Sequence, residues 1–597
     1  LILDGIIIAA AQEERFTRKK ADNEFPFHAI QFCLNFAGVA IGDLDAVVFY
    51  DLPDLKFDRI LRSQIMNAPR ELRSFSEVMP HWLCTKLDLH HELLKNLKLL
   101  AVDEITQMPE IHFTTHHCSH AAAAFYPSPF EEAAVLCLDG VGEWVTTSVW
   151  HGRSNKLTPL WELHYPDSIG LLYSAFTFYR GFKVNSGEYK LMGLAPYGSP
   201  VYAEVIKDNL IDIKPDGTFR LNMKYFDYDH GHEMINANFE QLLGRPARRP
   251  ETTLDQFDMD IASSIQLVIE EVIMKLADTV YRELGVRYLC MAGGVALNCV
   301  ANGRLLANSS FEDIWIQPAA GDAGSAVGAA YCYWYSHLEK TRKPNYPDAM
   351  QGCYLGPEFD NSAIQHFLDT VEAEYEYIDD ALLSIKAAEL LNGEDNVLGW
   401  FQGRSEFGPR ALGNRSILAD PRSSKIQSIL NQKIKFRESF RPFAPAVLED
   451  YSEEYFNLSK PSPYMLFVTE LEESKKIHCD EEEAAFTGVE KLKSRRSVLP
   501  AITHVDYSAR IQTVSKTSNP KFYSLIEAFR QLTGCPVLVN TSFNVRGEPI
   551  VSSPEDAFVC FMNTGMDYLL LGNFLLSKKL QPEALIMRHL KNLVEID

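Results

Sequence analysis

Four side chains in the first half of the chain have the types and spacing to hold a divalent cation. His116 and His120 lie four residues apart in Thr114-Thr115-His116-His117-Cys118-Ser119-His120-Ala121. On a helix that spacing puts both imidazoles on one face, close enough to share an ion. Asp139 follows the apolar run Ala133–Leu138, and Asp322 sits within Gly321-Asp322-Ala323-Gly324. Turns at these two places can return both carboxylates to the same point. Two imidazoles with carboxylates suit Fe(II), Zn(II) or Mn(II). The alternative is one or two hydrogen-bonded core histidines, and the pair of Asp-Gly and Gly-Asp turns after strands weighs against it. His117 points elsewhere on the same helix.

A second group is electrostatic. Between Arg404 and Arg441 stand nine cations, including Arg410, Arg415, Lys435 and Arg441, against three carboxylates. The chain as a whole has 57 basic and 80 acidic residues and a net charge of −23. A local cationic segment on an acidic protein suggests a pocket for small polyanions rather than a track for DNA, with Arg supplying bidentate forks and Lys a point charge. A solvated basic surface is the competing reading. Downstream, Arg510 and the run Asn540-Thr541-Ser542-Phe543-Asn544 stand at the edges of apolar segments, where strand ends present ligand-binding groups in α/β folds. Gly293-Gly294 through Asn298, and Gly321, could let backbone amides approach a nucleotide. Ser186–Gly198 is a further candidate phosphate or substrate loop. Neither matches a P-loop or dinucleotide fingerprint, so ordinary tight turns remain equally open.

The elements that must position these groups alternate in α/β fashion. Asp4-Gly5 inside Leu1–Ala11 signals a hairpin. The uninterrupted Ala133–Leu138 reads as a strand buried on both faces. Ile261–Leu284 has a helical apolar stripe, with Asp258 or Asp260 to cap it and Gly285 to stop it. Strands at Arg287–Ala292 and Ile314–Gln317 each run into a glycine turn, the second followed by a small-residue helix through Ala330. Lys340–Gly356, rich in Lys, Pro, Asn, Asp and Gly, marks a boundary. Two domains are expected, 1–345 and 346–597. The second alternates strands such as Asn396–Phe401 and Pro536–Val539 with helices such as Lys521–Leu532, and Glu470–Glu490 reads as an acidic solvated loop.

Composition narrows the class. Hydrophobic residues at 46% and charged residues at 23% describe a folded chain, and a pI near 5.2 argues against a surface built for nucleic acid or anionic membranes. No apolar run reaches the roughly 18 residues that would span a bilayer. Eleven cysteines without a Cys-x-x-Cys pair fit a reducing, cytoplasmic setting rather than a disulfide framework or zinc ribbon.

Together these motifs resemble the nodulation-protein and antibiotic O-carbamoyltransferase family, of the tobramycin type. Thr115–Ala121, Asp139-Gly140, Ser186–Gly198, Gly293–Asn298 and Gly321–Gly324 resemble its N-terminal domain. Gly403–Ser416, His504–Val514 and Val537–Ile550 resemble its C-terminal domain. The long shared stretches look most like members linked to saxitoxin-like alkaloids. The resemblance implies an actin-like ATPase domain similar to the tRNA threonylcarbamoyl transferase, followed by a threonylcarbamoyl-adenylate-synthase-like domain, α/β and α+β in class. It implies that carbamoyl phosphate and ATP, with Mg(II), become carbamoyl adenylate at the C-terminal site. The carbamoyl group would then pass to the hydroxyl of a small natural-product acceptor at an N-terminal metal site, with Fe(II) favoured.

By that resemblance His116, His120, Asp139 and Asp322 match metal positions. Arg410, Arg415, Lys435, Arg441, Arg510, Asn540 and Ser542 match positions for carbamoyl phosphate, ATP or the adenylate. Lys20, within Arg18-Lys19-Lys20, matches a catalytic one, and Gly293, Gly294, Asn298 and Gly321 form the nucleotide loop. The acceptor needs a base, for which His117 or a metal-bound hydroxide are candidates. No membrane or nucleic acid partner is expected, and a homodimer is among the expected assemblies. The family normally opens with a strand and a His-Asp loop ahead of the hairpin that starts here at Leu1, so the chain reads as lacking its true N-terminus. Two other classes compete: a tRNA-modifying enzyme of the threonylcarbamoyl type, and a non-catalytic actin-like ATP-binding regulator.

Overall fold

The structure, a computed structural model, describes all residues except 67–87, 102–105, 230–232, 394, 439, 479–485, 583–584 and 586–597. The chain divides into two compact units, Leu1–Ile8 with Cys33–Ala349, and Ala9–Phe32 with Met350–Asp597. The break after Ala349 falls inside the boundary stretch expected from composition. The contiguous division at 345/346 needs one correction, because Ala9–Phe32 joins the second unit. Long-range bonds hold it there: Arg15 donates to the Gly408 carbonyl at 2.6 Å, and Arg18 to the carbonyls of Ile550 and Pro549 at 2.7 and 2.9 Å.

In chain order the strands of the first unit are β1 (Ile2–Leu3), β2 (Ile6–Ile7), β3 (Ala46–Phe49), β4 (Glu110–Phe113), β5 (Glu132–Leu138), β6 (Val145–Arg153), β7 (Lys156–His164), β8 (Ile211–Ile213), β9 (Phe219–Leu221), β10 (Tyr288–Ala292) and β11 (Asp313–Ile316). β1 and β2 form the hairpin, with both Asp4 and Gly5 at positive φ, as a tight two-residue turn requires. Five strands form the main sheet in the order β11-β10-β5-β6-β7. β11, β10 and β5 run parallel, while β6 and β7 are antiparallel additions. Six of the seven β5 residues are buried, which explains its unbroken apolar sequence. Three parallel strands open their carboxyl ends at one sheet edge. Asp139 follows β5, Gly293 follows β10 and Gly321-Asp322 comes shortly after β11, so the topology alone gathers these turns.

The helices that matter for the site are α1 (Pro53–Met66), α2 (His116–Phe125), α3 (Ile169–Tyr179), α4 (Glu188–Leu194), α5 (Gln256–Leu284), α6 (Cys299–Asn308) and α7 (Asp322–Tyr331). α5 begins earlier than its apolar stripe suggests. Its cap is Asp255, not Asp258 or Asp260, because Asp258 occupies the third helical position and completes a reciprocal capping box; Gly285 ends it at φ 62°. Ser186–Gly198 is mostly helical rather than a glycine loop, with α4 followed by a 3-10 turn at Ala195–Tyr197.

α2 and α7 pack in backbone contact. A Cβ on Gly328 would lie 1.8 Å from the Ser119 carbonyl oxygen and 2.8 Å from the Ala123 nitrogen. Arg342, buried, donates to the carbonyls of Phe125, Tyr126, Ser128 and Phe130 at 2.7–3.1 Å. It thereby satisfies acceptors that the end of α2 leaves open.

The second unit holds a nine-stranded mixed sheet made of β12 (Glu376–Tyr377), β13 (Val397–Phe401), β14 (Arg415–Ala419), β15 (Ala444–Leu448), β16 (Phe467–Glu470), β17 (Ser508–Val514), β18 (Val537–Ser542), β19 (Tyr568–Leu571) and β20 (Phe574–Ser577). The order is β12-β20-β19-β13-β14-β18-β15-β17-β16. Helices α8 (Asn361–Thr370), α9 (Asp380–Leu391), α10 (Pro520–Thr533) and α11 (Pro554–Asn563) belong to the same unit. The acidic stretch Glu470–Glu490 contains the end of β16 and short 3-10 turns, and its residues 479–485 lie outside the described set. No described helix is long and apolar enough to cross a membrane.

Because the α2–α7 contact is backbone on backbone, Gly328→Ala should force the helices apart. The expected cost is about 1–3 kcal/mol, read as a lowered thermal unfolding midpoint against Gly193→Ala, a helical position with open space where a Cβ would go.

Candidate functional site

His116, His120, Asp139 and Asp322 converge. Each offers one ligand atom, and all four atoms lie within 4.8 Å of one another. His116 Nε2 is 3.3 Å from Asp139 Oδ2 and 3.6 Å from Asp322 Oδ1, while His120 Nε2 is 3.9 and 3.8 Å from the same oxygens. Ligands about 2.1 Å from a shared centre stand roughly 3–4 Å apart. Both Nε2 atoms are buried and make no hydrogen bond, an arrangement that costs energy unless a cation fills it. The donor set therefore fits a divalent ion.

Local sequence explains why these side chains reach one point. Thr115 caps α2, accepting from the Cys118 amide, so the histidines occupy its first two turns. Asp139 Oδ1 accepts from the Gly294 amide at 3.0 Å, which turns Oδ2 toward the imidazoles. Gly142 passes so close that a Cβ there would be 2.9 Å from that of His116.

Residues that sequence reading missed surround the four. Asp51, after β3, accepts from His116 Nδ1 at 2.8 Å and from Lys56 Nζ at 2.6 Å. With its Nδ1–H donated to Asp51, the His116 ring offers its Nε2 lone pair once the Nε2 proton is lost. Ser325 Oγ lies 3.1 Å from His120 Nδ1. Glu143, buried, accepts from the amides of His116 and Leu52 at 2.9 Å each. Only a carboxylate closing a strand hinted at Asp51; nothing local marks the other two.

Burial alone would lower the His116 pKa, but the carboxylates of Asp139 and Asp51 beside its two nitrogens outweigh it and raise the value to about 10. Asp51 goes the other way: burial pushes it up, and the bond from His116, with Lys56 beside it, brings it down to about 2. Burial would also raise Asp139, yet His116 and His120 hold it well below the carboxylate range.

Beside this cluster lies a cavity of about 480 Å³ whose walls include Thr115, His117, Glu143, Trp144, Trp150 and Glu162. His117 does not join the ligand set. Its Nδ1 lies 2.7 Å from Ser148 Oγ, and burial, with His120 nearby, pushes it well below the ordinary histidine value. It is therefore a neutral imidazole.

The glycine-turn residues have packing reasons of their own. At Gly293 φ is 91° and a Cβ would lie 2.1 Å from the Leu138 oxygen, so no other residue fits. Asn298 caps α6 and exchanges hydrogen bonds with Gln266 at 3.1 Å. Gly321 precedes α7 with open space around it.

In the second unit, strand pairing sorts the cation candidates. β18 pairs antiparallel with β14 and β15, setting Ser542 opposite Ser416 and Asn540 opposite both Leu418 and Ala444. β15 pairs parallel with β17, Ala446 beside Gln512, and the same register carried back puts Arg510 beside Ala444. Arg415, Arg441, Arg510, Asn540 and Ser542 thus share one end of the sheet. Asn540 and Gln512 share a face, joined at 2.7 Å. Arg415 departs from the group. Directly opposite pairs share a face, so Arg415, one residue before Ser416, faces away from Ser542. It is fully buried, donates to the carbonyls of Gln402, Gly403, Asn414 and Pro357 at 2.7–3.1 Å, and covers the Phe401 ring at 3.6 Å. These bonds make it a post that holds the Gln402–Asn414 loop.

Lys435 is buried against Ser542 and Asn544, donating to the Ser542 carbonyl, to Ser542 Oγ at 3.2 Å and to Asn544 O and Oδ1 at 2.9 and 2.8 Å. Burial, and then the charges of Arg437, Arg441 and Lys20, lower its pKa well below the usual lysine value. Lys20 thus belongs with these cations. Arg410 is half-buried on the loop between β13 and β14.

Two outcomes follow for the ligand set. In metal-free protein, the raised His116 contributes stability that is complete below about pH 6.5 and lost as pH climbs through about 10. Cation binding needs the Nε2 lone pair, so it should tighten over that window and release about one proton at pH 8. Zn(II) titration with a pH indicator measures this, and absence of proton release would remove His116 from the set. Asp51→Asn should weaken Zn(II) binding about 10–100-fold, measured by competition with a chromogenic chelator.

Two family models match the chain, one after the other. The family model Carbamoyltransferase N-terminus matches residues 1–331, and Carbamoyltransferase C-terminus matches residues 388–578. The uncharacterized protein sll1178 of Synechocystis sp. is 57% identical over 585 residues, 98% of this chain and 95% of that protein. Nodulation protein NolNO of Sinorhizobium fredii is 36% identical over 589 residues, 97% of this chain and 78% of its own length. Nodulation protein U of Rhizobium fredii is 30% identical across 74% of this chain and 71% of its own. A solved structure, HypF from T. kodakarensis, overlaps with a TM-score of 0.23 at 16% identity, covering 42% of this chain and 39% of that one, too little to bear on the fold. Both family models fit in order, and relatives above 30% identity run nearly end to end: this chain belongs to the carbamoyltransferase family.

Proposed function

We propose that the chain is an ATP-dependent O-carbamoyltransferase working in two steps. In the second unit, carbamoyl phosphate and one water give carbamate and phosphate, and the carbamate oxygen displaces pyrophosphate from ATP to form carbamoyl adenylate. In the first unit the hydroxyl of a small acceptor attacks the carbamoyl carbon, AMP leaves, and the hydroxyl proton passes to a base. The observation that carries this reading is the His116–His120–Asp139–Asp322 set, three of its four residues buried, whose sequence neighbours Thr115 and His117 line a cavity of about 480 Å³. A cation held there, with Fe(II) the favoured ion, would supply Lewis acidity for the carbamoyl oxygen.

The residues themselves support defined roles. Asp51 and Glu143 fix the His116 ring and backbone, keeping the ligand set in place before substrate arrives. Trp144 and Trp150 give the cavity flat apolar walls, and Glu162 adds a hydrogen-bond acceptor for a polar acceptor molecule. His117, neutral and on the cavity wall, is a candidate for the departing proton. Lys435, Arg437, Arg441 and Lys20 supply positive potential for carbamoyl phosphate and for the triphosphate with its Mg(II), and Arg510 and Asn540 lie at the same end of the sheet. The finer fold reading is an actin-like unit followed by a threonylcarbamoyl-adenylate-synthase-like unit. The parallel β11-β10-β5 core, with its turns at one edge, is consistent with the first part of it.

The test needs no acceptor. Incubated with ATP and Mg(II), the protein should release pyrophosphate only when carbamoyl phosphate is present, with carbamoyl adenylate visible by mass spectrometry. Arg510→Ala or Arg441→Ala should abolish that release, whereas His120→Ala should preserve it and lose transfer. Equal loss in His120→Ala and Arg510→Ala would overturn the division of labour. ATP binding without carbamoyl phosphate-dependent pyrophosphate would favour a nucleotide-binding regulator instead.

A further inference from the structure

The sulfurs of Cys118 and Cys332 lie 3.3 Å apart. Cys118 sits in the first turn of α2, between His116 and His120, and Cys332 opens the π-helical turn Cys332–His337 that continues α7. A disulfide bond is about 2.05 Å long, so closing this pair asks for a shift of little more than an ångström. Access is asymmetric, since Cys118 is half-buried and Cys332 buried. That suits one thiol meeting an oxidant and its neighbour resolving the product.

We propose that Cys118 and Cys332 form a reversible redox site, in which a peroxide oxidises Cys118 and Cys332 closes a disulfide between the two helices that carry His116, His120 and Asp322. In the first step the Cys118 sulfur attacks hydrogen peroxide. An S–O bond forms, the O–O bond breaks, and one water leaves, giving a sulfenic acid. In the second step the Cys332 sulfur attacks Cys118; the S–S bond forms, the S–O bond breaks, and a second water departs with the remaining thiol proton. Two thiols are oxidised, one peroxide is reduced to two waters, and a dithiol reductant reverses the change. The bond would fix α2 to the extension of α7, whose mutual placement sets the distances among the candidate ligands. The site stands on the sulfur geometry alone and is independent of the reaction proposed above.

Peptide mapping decides it. The full-length, metal-free protein is treated with hydrogen peroxide, quenched with catalase, alkylated and digested. The expected product is a Cys118–Cys332 cross-linked peptide about 2 Da lighter than its two thiol peptides together, absent after dithiothreitol. In Cys332→Ser the same treatment should leave Cys118 as a sulfenic acid that dimedone captures. Cys118 left as a free thiol, carried straight to the sulfinic acid, or paired with another cysteine in wild type would overturn the proposal. Mapping of the wild type suffices should the variant not fold.

Discussion

The first unit depends on how closely α2 and α7 approach. Gly328 presents no side chain to the Ser119 carbonyl, and Ala122, Ala123 and Ala124 offer only methyl groups along the buried length of α2. The helices therefore meet backbone to backbone. Their N-terminal turns carry His116, His120 and Asp322, so the distance between helix axes becomes the distance between ligand atoms. Cation coordination tolerates errors of only about 0.2 Å, far less than a side chain at the contact would impose. Two further ties hold α2: Gln317 donates to the Ala123 carbonyl at 2.6 Å, and Arg342 gathers the carbonyls at the helix end.

Such a cluster is costly to bury, and its surroundings show how the cost is met. An ionised carboxylate out of water must be paired or hydrogen-bonded. Asp139 has the Gly294 amide, Asp51 has Lys56 and His116, and Glu143 has two backbone amides. Each of these three buried carboxylates thus has a fixed partner; the Nε2 face is different. There His116 and His120 confront Asp139 and the 58% exposed Asp322 without hydrogen bonds. These two buried Nε2 atoms, without hydrogen bonds, face the point that a cation held by the four residues would occupy. That pattern separates a built site from a set of histidines that merely complete a core.

The parts of this arrangement legible in the sequence are those whose signals are local. His116 and His120 follow from helical spacing, and Asp139 and Asp322 from glycine turns after apolar strands. Parallel pairing of β5, β10 and β11 then gathers the turns at one edge. Asp51, Glu143 and Ser325 were invisible because each is a lone polar residue brought in by tertiary packing. Strand parity, which a count of charges along Arg404–Arg441 ignores, sets Arg415 on the face away from Asn540 and Ser542. The Ser186–Gly198 segment folds around a short helix, and two of its glycines, Gly187 and Gly198, serve close packing. A Cβ at Gly198 would lie 2.1 Å from the Met259 oxygen.

Lys435 bears most directly on what the second unit binds. Its ammonium is buried, yet every acceptor it meets is a neutral carbonyl, hydroxyl or amide oxygen. Among the described residues no carboxylate forms an ion pair with it, and Arg437, Arg441 and Lys20 add repulsion. A charge in that position gains hydrogen bonds but little compensation, and burial first, then the neighbouring cations, depress its pKa. Were the role purely structural, an acidic partner would be the cheaper solution in a chain with 80 of them. An incoming phosphate would relieve the repulsion among all four cations at once and draw the lysine pKa back up. Anion binding and lysine protonation would then favour each other, so that the affinity gained is the relief of strain already present in the empty unit.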